Sequence, residues 1–158
     1  MNSTRRQPLW VIPFWITLAV TLARFLLEKM GAPGTLAFIV GITWLPPIFG
    51  VYFATKVDRS GALFKNLAFY GISARLAVVA LMVLASYLHW GTHYDISGLT
   101  SVPSPWGTLS YQSNSARQHL QLIHFPQLII WPIYTILTGM ITGSITLLLR
   151  RRKTASAV

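Results

Sequence analysis

The chain has 158 residues, of which 53% are hydrophobic and only 10% charged, with a formal net charge of +10 and no cysteine. An ordinary soluble domain carries about 25% charged residues, so the charges here are too few to cover a water-facing surface. The absence of cysteine excludes disulfides, thiolate catalysis, zinc–thiolate sites and iron–sulfur clusters.

The apolar residues fall in blocks, and the basic excess sits at the ends of those blocks. No basic face interleaved with aromatics exists outside them, which argues against nucleic acid as a partner and for the bilayer with its anionic headgroups. A spanning helix needs about 20 apolar residues to cross about 30 Å of hydrocarbon, and four segments meet that length.

The first span is read at 9–27. It follows Arg5, Arg6 and Pro8, and it ends in Arg-Phe-Leu-Leu-Glu-Lys rather than in small residues, so it reads as an uncleaved span and not as a signal peptide. The second, 35–55, contains Pro46-Pro47. Two missing backbone donors leave carbonyls that need partners inside the protein, which predicts a kink, either lining a cavity or simply tolerated. The third, 67–89, carries Arg75 near mid-membrane. A charge at that depth is costly and faces the bundle interior or a polar cavity. Its expected partners are carbonyls near Pro46 and Pro47 or Tyr and Thr hydroxyls, with an anionic ligand and snorkelling toward the interface as competing readings.

The fourth span is read at 127–149. The apolar run from Leu120 to Leu149 is about 45 Å of helix, too long for one upright span. Pro126 and Pro132 offer bends, predicting a short interfacial helix at 115–125 and then the span. Thr135, Gly139, Thr142 and Gly143 form a small-residue stripe, which predicts a close packing face within the chain or against another protomer. Arg150, Arg151, Arg152 and Lys153 read as a stop-transfer anchor.

Counting Lys and Arg sets orientation. One side receives nine (Arg5, Arg6, Lys56, Arg59, Lys65, Arg150, Arg151, Arg152, Lys153) and the other three (Arg24, Lys29, Arg117). Both termini are therefore expected in the cytoplasm, with the chain in a bacterial cytoplasmic membrane. The outward loop, about 91–119, is rich in Ser, Gly, Thr and Pro and carries Val102, Trp106, Leu109 and Tyr111, so it reads as a cap over the bundle.

Candidate chemistry clusters on that outward side. His89, His93, His119 and His124 bracket the loop, with Asp95 inside it and Glu28 on the same side. His89 and His93 have the i, i+4 spacing that suits a shared metal on a continuous helix, and Asp95 and His124 are candidates to complete the ligand set. Bis-histidine haem ligation is a second reading. Interfacial anchoring and loop-capping hydrogen bonds are a third. His93 beside Asp95 also has the makings of an acid–base pair, but no nucleophile elbow and no paired carboxylates accompany it.

The chain thus reads as all-α: a single polytopic domain forming a four-transmembrane-helix bundle with an outward loop between the third and fourth helices. The leading expectation is a non-enzymatic accessory or structural subunit of a membrane complex or homo-oligomer. One alternative is a redox protein holding a metal ion or haem on the outer histidines. The other is a small transporter or lipid-handling protein built around Arg75 and the Pro46-Pro47 kink.

Overall fold

The computed structural model describes residues 7–155; Arg5 and Arg6, counted above for orientation, lie outside them. Helices hold 70% of the residues, so the all-α class stands, with one small hairpin added. Three helices are long and apolar enough to cross a membrane: Val11–Lys29, Ser60–Tyr87 and Ala116–Lys153.

Helix α1 (Val11–Lys29) stops at Gly31, whose φ is +73°. Around it Gly31 N–H donates to the Glu28 carbonyl at 3.0 Å and Ala32 N–H to the Leu27 carbonyl at 2.9 Å. This is a Schellman ending, in which a left-handed residue lets the chain satisfy the last carbonyls of a helix.

The expected second span, 35–55, is not one helix. It divides into α2 (Gly34–Ile39), a 3₁₀ turn (Ile42–Trp44) and α3 (Leu45–Ala54). The physical reason is in the prolines. Pro46 and Pro47 lie in the first turn of α3, where their missing N–H groups have no intrahelical acceptor to lose. They start a helix instead of kinking one. At ten residues α3 is about 15 Å long, half the hydrocarbon thickness.

Helix α4 (Ser60–Tyr87) begins seven residues before the expected third span. Just past its end His89 takes a positive φ of 49° while Trp90 N–H donates to the Ala85 carbonyl at 3.0 Å. His89 therefore fills the left-handed position usually given to glycine.

The long connection after α4 carries an antiparallel hairpin, β1 (Ser101–Ser104) and β2 (Gly107–Ser110), which pairs Val102 with Leu109. The connection folds down onto the helices, burying Tyr94, Ile96 and Tyr111. The Gln118 amide donates to the Ile96 and Leu99 carbonyls at 2.8 and 3.0 Å, and Lys29 Nζ donates to the Trp90 carbonyl at 2.8 Å.

The expected interfacial helix, bend and fourth span are one uninterrupted helical run. It comprises α5 (Ala116–His119), two π-turns (Leu120–His124 and Pro126–Ile130) and α6 (Trp131–Ala155). Pro126 does not bend the run into two helices. A wider turn gives the proline ring the room that an α-turn denies it, so the helix expands there.

Close approach along α6 positions everything else. A Cβ on Gly50 of α3 would collide with the Gly139 carbonyl and Thr142 Oγ1, and one on Gly143 would sit 2.7 Å from the Leu63 side chain of α4. Thr142 Oγ1 donates to the Pro47 carbonyl at 2.8 Å, Tyr134 OH to the Thr43 carbonyl at 3.1 Å, and Arg150 to the Ala54 and Val57 carbonyls. Helix α3 therefore runs parallel to α6. Helix α4 runs antiparallel to it, with Gly71 near Thr135 and Leu67 near Gly139. Helix α1 lies along α4 through the 2.8 Å bond between the Thr17 and Tyr70 hydroxyls. Thr135, Gly139, Thr142 and Gly143 thus pack within the chain, against α3 and α4.

The apolar interior falls into two clusters. Phe49, Phe53, Leu63, Leu67, Tyr70 and Leu147 form one, while Val78, Met82, Ala85, Tyr94, Ile96 and Ile123 form the other, nearer the cap. Arg75 lies between Ala74 of the first and Val78 of the second.

Candidate functional site: an arginine-lined cavity

Between the two apolar clusters is a cavity of about 310 Å³, lined by Arg24, Gly41, Thr43, Arg75, Val78, Met82, His93, Tyr94, Gln127 and Trp131. Each element contributes for a local reason. Gly41 and Thr43 reach it because the second segment breaks into short helices there. Gln127 reaches it from the π-turn that begins at Pro126, an irregularity that often marks functional helices, and Trp131 from the first position of α6. His93 and Tyr94 reach it from the cap.

Arg75 is 4% exposed. Its one hydrogen bond among the described residues is Nη1 to Gln127 Oε1 at 3.3 Å. Its guanidinium lies 4.5 Å from the centroid of the Trp131 ring, a cation–π arrangement that fixes the plane of the group. Five N–H donors on a guanidinium exceed what one amide oxygen satisfies. None of its nitrogens is sealed from solvent without a partner, so the remaining donors open onto the cavity. The partners expected for Arg75 near the proline pair are occupied elsewhere, since the Thr43 and Pro47 carbonyls accept from Tyr134 and Thr142.

The chain has three acidic residues, and none meets Arg75. Glu28 accepts from Arg24 Nε at 3.1 Å and contacts His93 Nδ1 at 2.6 and 2.7 Å through its two oxygens. Glu28 also accepts from the His93 backbone N–H at 2.9 Å. Asp95 is held by Gly91 N–H, Ser97 N–H and the Ser97 hydroxyl at 2.9, 2.9 and 2.6 Å. Asp58 lies 3.7 Å from Arg150. Arg24 is thus balanced by Glu28, while Arg75 has no carboxylate in this chain, and the cavity is electropositive.

Burial lowers the pKa of His93, and the nearby Arg24 lowers it further. The bond from Glu28 opposes both without overcoming them. At neutral pH the imidazole is therefore neutral, and the carboxylate on Nδ1 fixes the proton there. Burial pushes the neighbouring Tyr94 hydroxyl up to about 12, so it remains a neutral donor, reaching the Thr21 carbonyl at 3.4 Å. For Asp95 partial burial raises the pKa, but the three hydrogen bonds to its oxygens and His89 outweigh it and leave the carboxyl below its ordinary value.

The outer residues expected to share a metal each have other partners, and His89 and Asp95 meet at the Ser97 hydroxyl. His89 Nδ1 pairs with the Ser97 hydroxyl at 2.9 Å, His93 with Glu28, Asp95 with Gly91 and Ser97, and His124 Nδ1 donates to the His119 carbonyl at 3.0 Å. No group of three His, Asp or Glu side chains suited to a metal forms among the described residues. The i, i+4 argument fails because α4 ends at Tyr87 and His89 is its left-handed cap. His119 Nε2 contacts Asn114 Oδ1 at 3.2 Å, so three of the four histidines bind loop or backbone groups of the cap.

Sequence reasoning placed Arg75 in the interior but missed Gln127, Trp131, Tyr94 and Thr43 as its surroundings. Gln127 carried a usable signal: it is an amide inside an apolar run, and polar groups in such segments face partners.

Comparison with known protein families, curated proteins and solved structures gives no match for this chain.

Proposed function

We propose that this chain is a non-enzymatic membrane protein that binds an anionic group, a carboxylate or phosphate, in the Arg75 cavity. One observation carries the reading: Arg75 is buried near the middle of α4, its open donors face a cavity, and every acidic side chain of the protein is engaged elsewhere. A buried cation without a countercharge is costly. An anion in the cavity offsets that cost, while Gln127 and Trp131 hold the guanidinium in one plane to receive it. This is the lipid-handling or transport alternative made concrete around a site. The Glu28–His93 contact closes the cap over its outer end.

In the same reading the broken segment 34–54 returns the chain across the bilayer between α1 and α4. The chain then crosses four times, with both termini on the basic, cytoplasmic side.

The full chain, extracted in neutral detergent, tests the site by native mass spectrometry with phosphatidylglycerol, phosphatidylcholine, inorganic phosphate and acetate. Wild type is expected to retain at least one anionic probe over phosphatidylcholine, and Arg75→Leu to weaken that retention about 10- to 100-fold, the worth of charge-assisted hydrogen bonds. Retention by phosphatidylglycerol alone assigns a lipid headgroup, and retention of phosphate or acetate assigns a free anion. Equal retention of all four, or anion binding untouched in Arg75→Leu, overturns the proposal.

A further inference from the structure

A second concavity shares no lining residue with the arginine cavity. It is a groove of about 720 Å³ between the hairpin and the long helix, walled by Val102 and Leu109 on one side and Leu120, Phe125 and Ile129 on the other. That volume is within the about 300–1,000 Å³ typical of ligand pockets. Val102 and Leu109 are cross-strand partners, so one hairpin face looks into the groove. Trp106 stands at the hairpin tip, 93% exposed. A lone two-stranded hairpin is marginal in water, and its apolar face needs cover. The protein leaves that cover incomplete, since Leu120 and Phe125 are also exposed.

We propose that this groove holds an acyl chain of a bilayer lipid, drawn partly out of the outer leaflet. The helix length and the continuity of its surface point to that occupant. Ala116–Lys153 is 38 residues, about 57 Å at 1.5 Å per residue, against about 30 Å of hydrocarbon. Counted back from Leu149, about 20 residues fill the hydrocarbon and end near Ile130. Leu120 to Ile129 therefore project beyond it, and Leu120, Phe125 and Ile129 on this stretch are exposed apolar residues. Their exposed face is continuous with Ile133, Leu137 and Ile141, which are also exposed and meet lipid tails directly. An acyl chain can thus follow one apolar surface from the bilayer into the groove. Near its outer part Tyr111 OH donates to Gln121 Oε1 at 2.8 Å, and the Arg117 guanidinium lies 5.9 Å from the Tyr111 ring. The proposal does not depend on an anion at Arg75.

The test uses the full chain in phosphatidylcholine–phosphatidylglycerol vesicles containing a phosphatidylcholine with a diazirine in its acyl chain. After illumination, labelled residues are mapped by mass spectrometry. Wild type is expected to carry label on Val102, Leu109 or Trp106 as well as on the stripe from Ile133. Leu109→Lys, which puts a charge in the groove, is expected to cut hairpin labelling about tenfold. Thr108→Lys, exposed and on the other face of the same strand, is expected to leave it unchanged. The wild-type map decides by itself if Leu109→Lys fails to fold. Label confined to the stripe with none on the hairpin overturns the proposal.

Discussion

Arg75 and His93 show how a single side chain's meaning depends on what the rest of the chain has already used. With three acids in the protein, each engaged by other groups, Arg75 is defined by the lack of a countercharge. His93 is defined by an excess of neighbours: Glu28 and Arg24 from α1, with Tyr94 and Asp95 adjacent in the cap. Burial and Arg24 favour its neutral form, so its folded pKa lies below the ordinary value of about 6.5. The unfolded chain then binds more protons at this site than the folded one, and stability rises with pH through that window. The contribution is complete above about pH 6.5 and is lost as pH falls from there toward the folded pKa. Asp95, also lowered, acts only below about pH 4, so the two windows separate. Thermal unfolding of wild type in detergent between about pH 7 and pH 5 is expected to show a fall that His93→Gln reduces, the remainder coming from His119, whose pKa burial also lowers. A wild-type stability that instead climbs toward pH 5 would mean that the Glu28 ion pair outweighs burial. At this scale the sequence made Arg75 legible, because a lone charge in an apolar run is visible without coordinates. The pairing of Glu28 with His93 across 65 positions was not legible, since it depends on how the cap folds back over α1.

Elements were legible where composition alone decides them and illegible where backbone geometry does. Long apolar runs gave α1, α4 and the last helix. Pro46-Pro47 and Pro126 were both recognised as disturbances, but their effects differ because their surroundings differ. The first pair found a helix start, and Pro126 found a turn able to widen. The small-residue stripe of α6 was readable as a packing face, and its partner is decided by Gly50. A Cβ there meets the Gly139 backbone, which has no rotamer to move. Gly50→Val is therefore expected to lift α3 from α6, break the bond from Thr142 to the Pro47 carbonyl and cost about 3 kcal/mol or more. Gly61→Ala, in the first turn of α4 with open space around it, is expected to be neutral or to stabilise by up to about 1 kcal/mol. Denaturant or thermal unfolding of both variants in the same detergent checks the contrast. A tolerated Gly50→Val would show that α3 is held by its ends and not by this contact.

At the scale of the molecule, the helices pair by direction. Helices α3 and α6 run parallel, and their ends are tied together where Arg150 and Arg151 donate to the Ala54, Val57 and Asp58 carbonyls. Helices α1 and α4 run the other way and end together beneath the cap, where Glu28 and Lys29 reach His93 and Trp90. If the cap faces out, α3 must deliver the chain to the inner side although it is about 15 Å long. The non-helical stretch between α2 and α3 then lies at membrane depth. Irregular backbone survives there only where it lines a cavity or is covered by protein, and Gly41 and Thr43 do line the arginine cavity. The Lys and Arg bias agrees, with Lys56, Arg59 and Lys65 grouped near Arg150 to Lys153. Single cysteines at Ser60, Ser113 and Ser144 suit a membrane-impermeant thiol reagent, since the natural chain has none to interfere. In intact cells Ser113→Cys is expected to label, Ser60→Cys only after permeabilisation, and Ser144→Cys, inside α6, in neither. Labelling of Ser60→Cys in intact cells, with Ser113→Cys silent until permeabilisation, would invert the orientation and place the cap on the inner side.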